Sequence, residues 1–170
     1  MGIKRKAVTK VSSDYIIKTP DVEIACCKLF DMRKNIIVTN ISWGFHGLHE
    51  CDLFLVRPSG HCTEVEIKVS KQDFLKDFEK KHGHASDYIK DFYYAMPDIL
   101  YAKVKDQIPE HAGAIVCSVY NKHVIAKIVK EPISNNKAKK ITLEDELKIL
   151  RLATMRFWKY KEDLNKIKRA

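Results

Sequence analysis

The chain has 170 residues, 45% hydrophobic and 31% charged, which suits one domain with a proper core. Lys and Arg number 31 against 22 Asp and Glu, a formal net charge of +9, so the protein should attract polyanions. No apolar run approaches the roughly 18 residues of a membrane span, and the basic start Lys4-Arg5-Lys6 leads into no apolar core of a secretory signal. Cys26, Cys27, Cys51, Cys62 and Cys117 form no regular framework, which predicts reduced thiols and a cytoplasmic setting. His46, His49, Cys51 and Cys62 fit no standard zinc spacing.

Residues 1–18 read as a basic arm leading into a short strand, and residues 19–170 as a single domain. Thr19-Pro20-Asp21 starts a helix, with Thr19 as N-cap and Pro20 at the first helical position. Val22, Ala25, Cys26, Leu29 and Phe30 form its apolar stripe, with Glu23 at the margin. Asn35–Asn40 reads as a strand and Ser42–His49 as a loop with Gly44 and Gly47. Two apolar runs follow, 51–57 and 61–69, separated by the turn signal Pro58-Ser59-Gly60. Ser70-Lys71-Gln72-Asp73 resembles a capping box that opens a second helix, docked through Phe74, Leu75 and Phe78. Phe92–Met96 is a strand closed by Pro97, and Ile99–Val104 a short helix ending before Pro109. Ala114–Val119 and the alternating His123–Val129 form a second hairpin. Ser134–Lys140 is a polar, basic loop. Thr142 with Asp145 caps a long final helix with a packing face of Leu143, Leu147, Leu150, Thr154, Phe157 and Trp158. Lys148, Arg151, Arg156, Lys159 and Lys161 fall on its outer face.

The first hairpin carries the chemistry. Strands folding symmetrically about Ser59 put Asp52 directly across from Glu66. Alternation along a strand points Glu66 and Lys68 the same way. Asp52, Glu66 and Lys68 are therefore expected on one face, with Val65, Ile67 and Val69 packed on the other. Facing carboxylates repel unless something positive lies between them. A Mg²⁺ ion resolves that conflict, because it takes one or two carboxylates together with phosphate oxygens and water; a plain Lys68–Glu66 salt bridge resolves it too. Glu64 shares the Glu66 face near the strand end, where such a residue usually meets solvent, and Glu50 should lie opposite Lys68. Lys71, Lys76, Lys80 and Lys81, each singly an ordinary solvated lysine, form as a group beside the acids a track for phosphates.

The order helix, three strands, helix, strand, with Asp52 on the second strand and Glu66-Ile67-Lys68 on the third, resembles the PD-(D/E)xK nuclease superfamily. Val65-Glu66-Ile67-Lys68-Val69-Ser70, Asp73-Phe74 and Asp77 are similar to the EIKxSxxDFxxD run of the MmcB-like DNA-repair group within it. Asp91–Pro97 and Ile108–Val116 resemble that group's following segments. The chain departs from the group at His49-Glu50-Cys51 and at Lys80-Lys81-His82. The resemblance implies an α/β fold with a restriction-endonuclease-like αβββαβ core, a mixed central sheet flanked by helices, and a long C-terminal helix. It implies a metal-dependent DNA nuclease acting in repair or processing. Asp52, Glu66, the carbonyl of Ile67 and Glu23 would hold Mg²⁺ or Mn²⁺, and Lys68 would complete the catalytic set. DNA is the expected substrate, and a second copy or a repair protein the expected protein partner.

Two other readings stand beside it. One is a non-catalytic or partner-activated nucleic-acid-binding protein on the same scaffold, since scaffolds outlive activities. The other is an interaction protein that docks its basic last helix on an acidic partner, which leaves the central acids without a role.

Overall fold

In a computed structural model, which describes residues 15–41, 50–78 and 86–169, the chain forms a six-stranded mixed sheet with helices on both faces. The elements run α1 (Thr19–Leu29), β1 (Ile36–Ile41), β2 (Cys51–Val56), β3 (Cys62–Ile67), α2 (Lys71–Asp77), β4 (Ile89–Pro97), α3 (Asp98–Val104), β5 (Gly113–Tyr120), β6 (His123–Lys130) and α4 (Leu143–Arg169). Strand order in the sheet follows chain order. Both first pairings are antiparallel, β3–β4 and β4–β5 are parallel, and β5–β6 is antiparallel. Parallel neighbours need crossover connections, and α2 and α3 supply them. No helix among the described residues is long and apolar enough to cross a membrane.

One core lies between the sheet and α1, where Val22, Ala25 and Cys26 meet Leu53, Leu55, Val65 and Ile67. The other lies under α2, α3 and α4, where Phe74, Leu100, Val104 and Ile149 meet Phe54, Val56, Tyr94 and Met96. The strands β2 and β3 are therefore covered on both sides, and every residue of β3 is buried.

The helix starts follow local chemistry, with one shift. The α1 cap is Lys18 rather than Thr19, because Asp21 reaches back and its Oδ2 accepts the Lys18 N–H at 2.9 Å. Tyr15 donates to Oδ1 of the same carboxylate at 2.8 Å. Tyr15–Lys18 form no strand, contrary to expectation; the rest of the expected arm, like the 42–49 loop, lies outside the described residues. Ser70 caps α2 by accepting the Asp73 N–H at 3.2 Å. Of the three residues expected to dock α2, only Phe74 is buried; Leu75 and Phe78 are exposed. The β5–β6 connection places both Asn121 and Lys122 at positive φ, the backbone of a two-residue hairpin turn.

The long helix α4 corrects the sequence reading most. Thr142 and Asp145 cap it reciprocally: Asp145 Oδ2 accepts from the Thr142 N–H and hydroxyl, and Thr142 Oγ1 accepts the Asp145 N–H. Ile141, buried just before it, is tied to the first hairpin through its N–H to the Gly60 carbonyl at 3.0 Å. That anchor sets the rotation of the helix. Asp145 and Ile149 turn inward, with Ala153 packed behind them. Arg156, expected outside, is half-buried and donates to the carbonyl of Asn40, which a positive φ in β1 turns toward it. The expected packing face of Leu143, Leu147, Leu150, Thr154, Phe157 and Trp158 is exposed.

Candidate active site

The hairpin register is the one read from the turn. Leu53 pairs with Val65, Phe54 with Glu64, Leu55 with Thr63 and Val56 with Cys62, all symmetric about Ser59. The ladder stops at Leu53–Val65, so Asp52 and Glu66 are not a strand pair. Instead Asp52 Oδ2 accepts the backbone N–H of Ile67 at 2.8 Å. The carboxylate thus bonds a backbone group just past the last rung of β2 and β3, where a buried N–H needs a partner. Beyond Ile67, β3 stays with β4 through the Lys68 N–H to the Ala95 carbonyl at 2.9 Å.

Lys68 follows the end of β3 and is almost completely buried. Its Nζ donates to Glu66 Oε1 at 2.8 Å and to Asp77 Oδ1 at 2.9 Å, with Asp73 Oδ1 at 3.9 Å. Asp77 Oδ2 in turn accepts the Tyr94 hydroxyl at 2.7 Å. One polar chain therefore joins β3, α2 and β4. Two local facts build it. Ser70 starts α2 two residues after Lys68, so Asp73 and Asp77, four apart, lie on one helix face. Glu66 pairs with Tyr94 in the parallel register, which puts the phenol on the same side of the sheet.

Charge follows from these contacts. Burial opposes the Lys68 ammonium, but hydrogen bonds and attraction from Glu66 and Asp77 outweigh it and raise its pKa above the ordinary lysine value. Lys68 is therefore a fixed cation at neutral pH, suited to stabilising negative charge rather than to accepting a proton. Burial, then Asp77, Glu66 and Glu64, push the Tyr94 phenol up, so it stays a donor. Burial and the nearby charge of Asp52 also raise the carboxyl pKa of Glu23, half-buried on α1. That places Glu23 within electrostatic reach of Asp52.

The structure brings Glu66 and Lys68 into contact and Asp52 onto the residue between them. It differs from the sequence reading at several neighbours. Glu64 is fully buried rather than facing solvent, because α2 and α4 cover that face of the sheet. Val69 is exposed, since β3 ends at Ile67. Glu50 is exposed. Lys71 and Lys76 are exposed on α2, whereas Lys80 and Lys81 lie outside the described residues. Asp77 and Tyr94 were missed as site residues. The sequence signals for Asp77 were its spacing of four from Asp73 and its place in the EIKxSxxDFxxD-like run; Tyr94 lay in the segment that resembles the group's next strand, but its partner follows only from the β3–β4 register.

The thiols take no part. Burial first, then Glu64, Glu66 and Asp52, push the Cys51 thiol up, and burial followed by Asp145 pushes Cys62 up to about 12. Both are buried in the core, and all five cysteines are unbridged. The two histidines of the zinc alternative lie outside the described residues.

Beside the ends of β3 and β4 opens a cleft of about 450 Å³, lined in part by Val69, Ser70, Lys71, Pro97, Asp98 and Lys103. The carboxyl ends of parallel strands are where open α/β sheets usually take ligands.

No protein-family model and no curated protein matches this chain. Among solved structures it is similar to the SPO1766 protein of unknown function from Silicibacter pomeroyi. The TM-score is 0.56 at 14% identity, over 86% of this chain and 90% of that one. The likeness is one of fold.

Donor chemistry defines what the site could hold. Asp52 and Glu66 offer carboxylate oxygens and Ile67 a carbonyl, hard donors that suit Mg²⁺ or Mn²⁺. Among the described residues no three His, Cys, Asp or Glu side chains are grouped to hold an ion. A divalent ion here would rest on two carboxylates, a carbonyl and water, an ordinary arrangement for Mg²⁺.

Proposed function

We propose that this protein is a divalent-metal-dependent DNA nuclease with a restriction-endonuclease-like core, acting in DNA repair or processing. The observation that carries the reading is the buried Lys68 ammonium, held by Glu66 and Asp77 one residue beyond the Ile67 N–H that Asp52 accepts. The observed order α1–β1–β2–β3–α2–β4 agrees with an αβββαβ core. The net charge of +9 favours a polyanionic substrate.

Each side chain has a role on this reading. Asp52, Glu66 and the Ile67 carbonyl would hold Mg²⁺ or Mn²⁺, with Glu23 supporting from α1. The bound ion would supply Lewis acidity at the phosphate and a more acidic water. Lys68, charged at neutral pH, stabilises negative charge developing on the phosphate oxygens and orients the attacking water. Asp77 and Tyr94 hold Lys68 in place. Exposed Lys71 and Lys76 attract the phosphate backbone without reading sequence.

The test is cleavage of plasmid, linear, single-stranded and branched DNA with Mg²⁺, Mn²⁺ or EDTA, with Lys68→Met alongside. Metal-dependent cutting lost in a folded Lys68→Met variant supports the proposal. Cutting by that variant at the native rate rejects the assignment. A second reading, a binding module or partner-activated enzyme, is favoured by one observation: Asp52 and Lys68 are already engaged, by Ile67 and by Glu66 with Asp77. Salt-sensitive DNA binding without cutting on any substrate would select it.

A further inference from the structure

The helix α4 carries two apolar stripes, and only one is used by its own domain. Asp145, Ile149, Ala153 and Arg156 face the sheet. A second stripe, Leu143, Leu147, Leu150, Thr154, Phe157, Lys161 and Leu164, repeats with alternating steps of four and three. At about 100° per residue it lies roughly 115° round the helix from the docked side. Its members Leu143, Leu147, Leu150 and Phe157 are 73%, 47%, 43% and 54% exposed. Past Arg156 the docked side continues through Tyr160, Asp163 and Ile167, with Tyr160 and Ile167 62% and 73% exposed, while Lys159 and Lys166 pair with Glu162 beside it. The second stripe continues through Phe157 to Leu164.

A step alternating between four and three is the heptad repeat of a coiled coil, with Leu147, Thr154 and Lys161 at a, and Leu143, Leu150, Phe157 and Leu164 at d. Three heptads cover about 32 Å of helix. The flanking positions say what covers the stripe. In a parallel pair, Glu146 at g faces Arg151 at e of the other helix, an opposite-charge contact made twice by two-fold symmetry. The next such pair would set Trp158 opposite Ala153, which already packs against the sheet. Lys161 lies over the rings of Phe157 and Trp158, at 5.3 and 5.2 Å from their centroids, with its stem along the seam. A lone lysine at an a position is a register-setting device of such pairs. Leu143, Leu147, Leu150 and Phe157 leave this face of the helix open to a second helix.

We propose that α4 pairs in parallel with α4 of a second copy of this chain, through the Leu143–Leu164 seam and reciprocal Glu146–Arg151 contacts. The test is sedimentation equilibrium of the full chain over a range of protein concentrations. The wild type is expected to dimerise. Leu147→Glu with Leu150→Glu should halve the observed mass while melting at the monomer's temperature, because both residues are exposed. Glu146→Lys should weaken the dimer about tenfold by turning two attractions into repulsions. Adding Arg151→Glu should restore it. Leu150→Cys should form an inter-chain disulfide under mild oxidation. A wild type that stays monomeric throughout, or a dimer indifferent to the Leu147 and Leu150 changes, overturns the proposal. So does a charge swap that fails to restore binding, or a dimer in which Leu150→Cys does not cross-link.

Discussion

Replacing Lys68 by Met removes the buried cation between Glu66 and Asp77 and keeps a side chain of similar length. Glu66 and Asp77, each within 2.9 Å of Nζ, then lose the ammonium they share. Breaking a buried ion pair from one side costs about 3–5 kcal/mol. For a domain of this size, 1 kcal/mol moves Tm by about 2–4 °C, so a fall of about 6–20 °C is expected. The sign with pH is fixed. Without Lys68 the two buried carboxylates repel, which favours their protonated forms in the folded variant. The folded variant then binds protons more readily than the unfolded chain, and its stability falls as pH rises through that window. The deficit against wild type should be smaller near pH 5 than near pH 8. Adding Asp77→Asn should recover much of it, by removing one of the two charges. Urea unfolding of the three proteins at both pH values is the assay. A loss below about 1 kcal/mol, or a loss that neither low pH nor Asp77→Asn reduces, would refute the electrostatic account of this cluster.

The wild type should lose stability as pH rises beyond the ordinary lysine value of 10.5, because the raised pKa of Lys68 stabilises the folded state only while the group is charged; Lys68→Met should lack that component of the alkaline loss. Tyr94→Phe strips Asp77 of its 2.7 Å donor and should cost about 1–3 kcal/mol by denaturant titration, less in an Asp77→Asn background. Mg²⁺ or Mn²⁺ at a hundred times its Kd should stabilise the fold by about 2.7 kcal/mol in a thermal shift assay; Asp52→Asn with Glu66→Gln should abolish that response, and an undiminished shift would place the ion elsewhere. Gly113→Ala should destabilise by about 1–3 kcal/mol, since its Cβ would come 2.5 Å from Tyr93 Cδ1 and 3.0 Å from the Lys130 carbonyl, and a neutral result would mean that Tyr93 swings aside freely.

The sequence by itself determined what depends on neighbours along the chain. Pro58-Ser59-Gly60 set a turn, and the turn set a pairing in which a slip of one residue would put Val65 and Ile67 on the wrong face. Alternation put Glu66 and Lys68 together, and the Ser70 and Thr142 caps follow from side chains that can reach the first free N–H groups. Tertiary structure decided what depends on elements distant in sequence. Tyr94 reaches Asp77, and through it Lys68, only because β4 returns parallel to β3 after α2, a register that no local pattern encodes. Glu64 is buried because helices from later in the chain cover its face. In α4, two apolar stripes competed for the core, and the one richer in leucine lost. Ile141, tied to the Gly60 carbonyl, fixes the rotation at which the helix begins, and a helix keeps the phase it starts with.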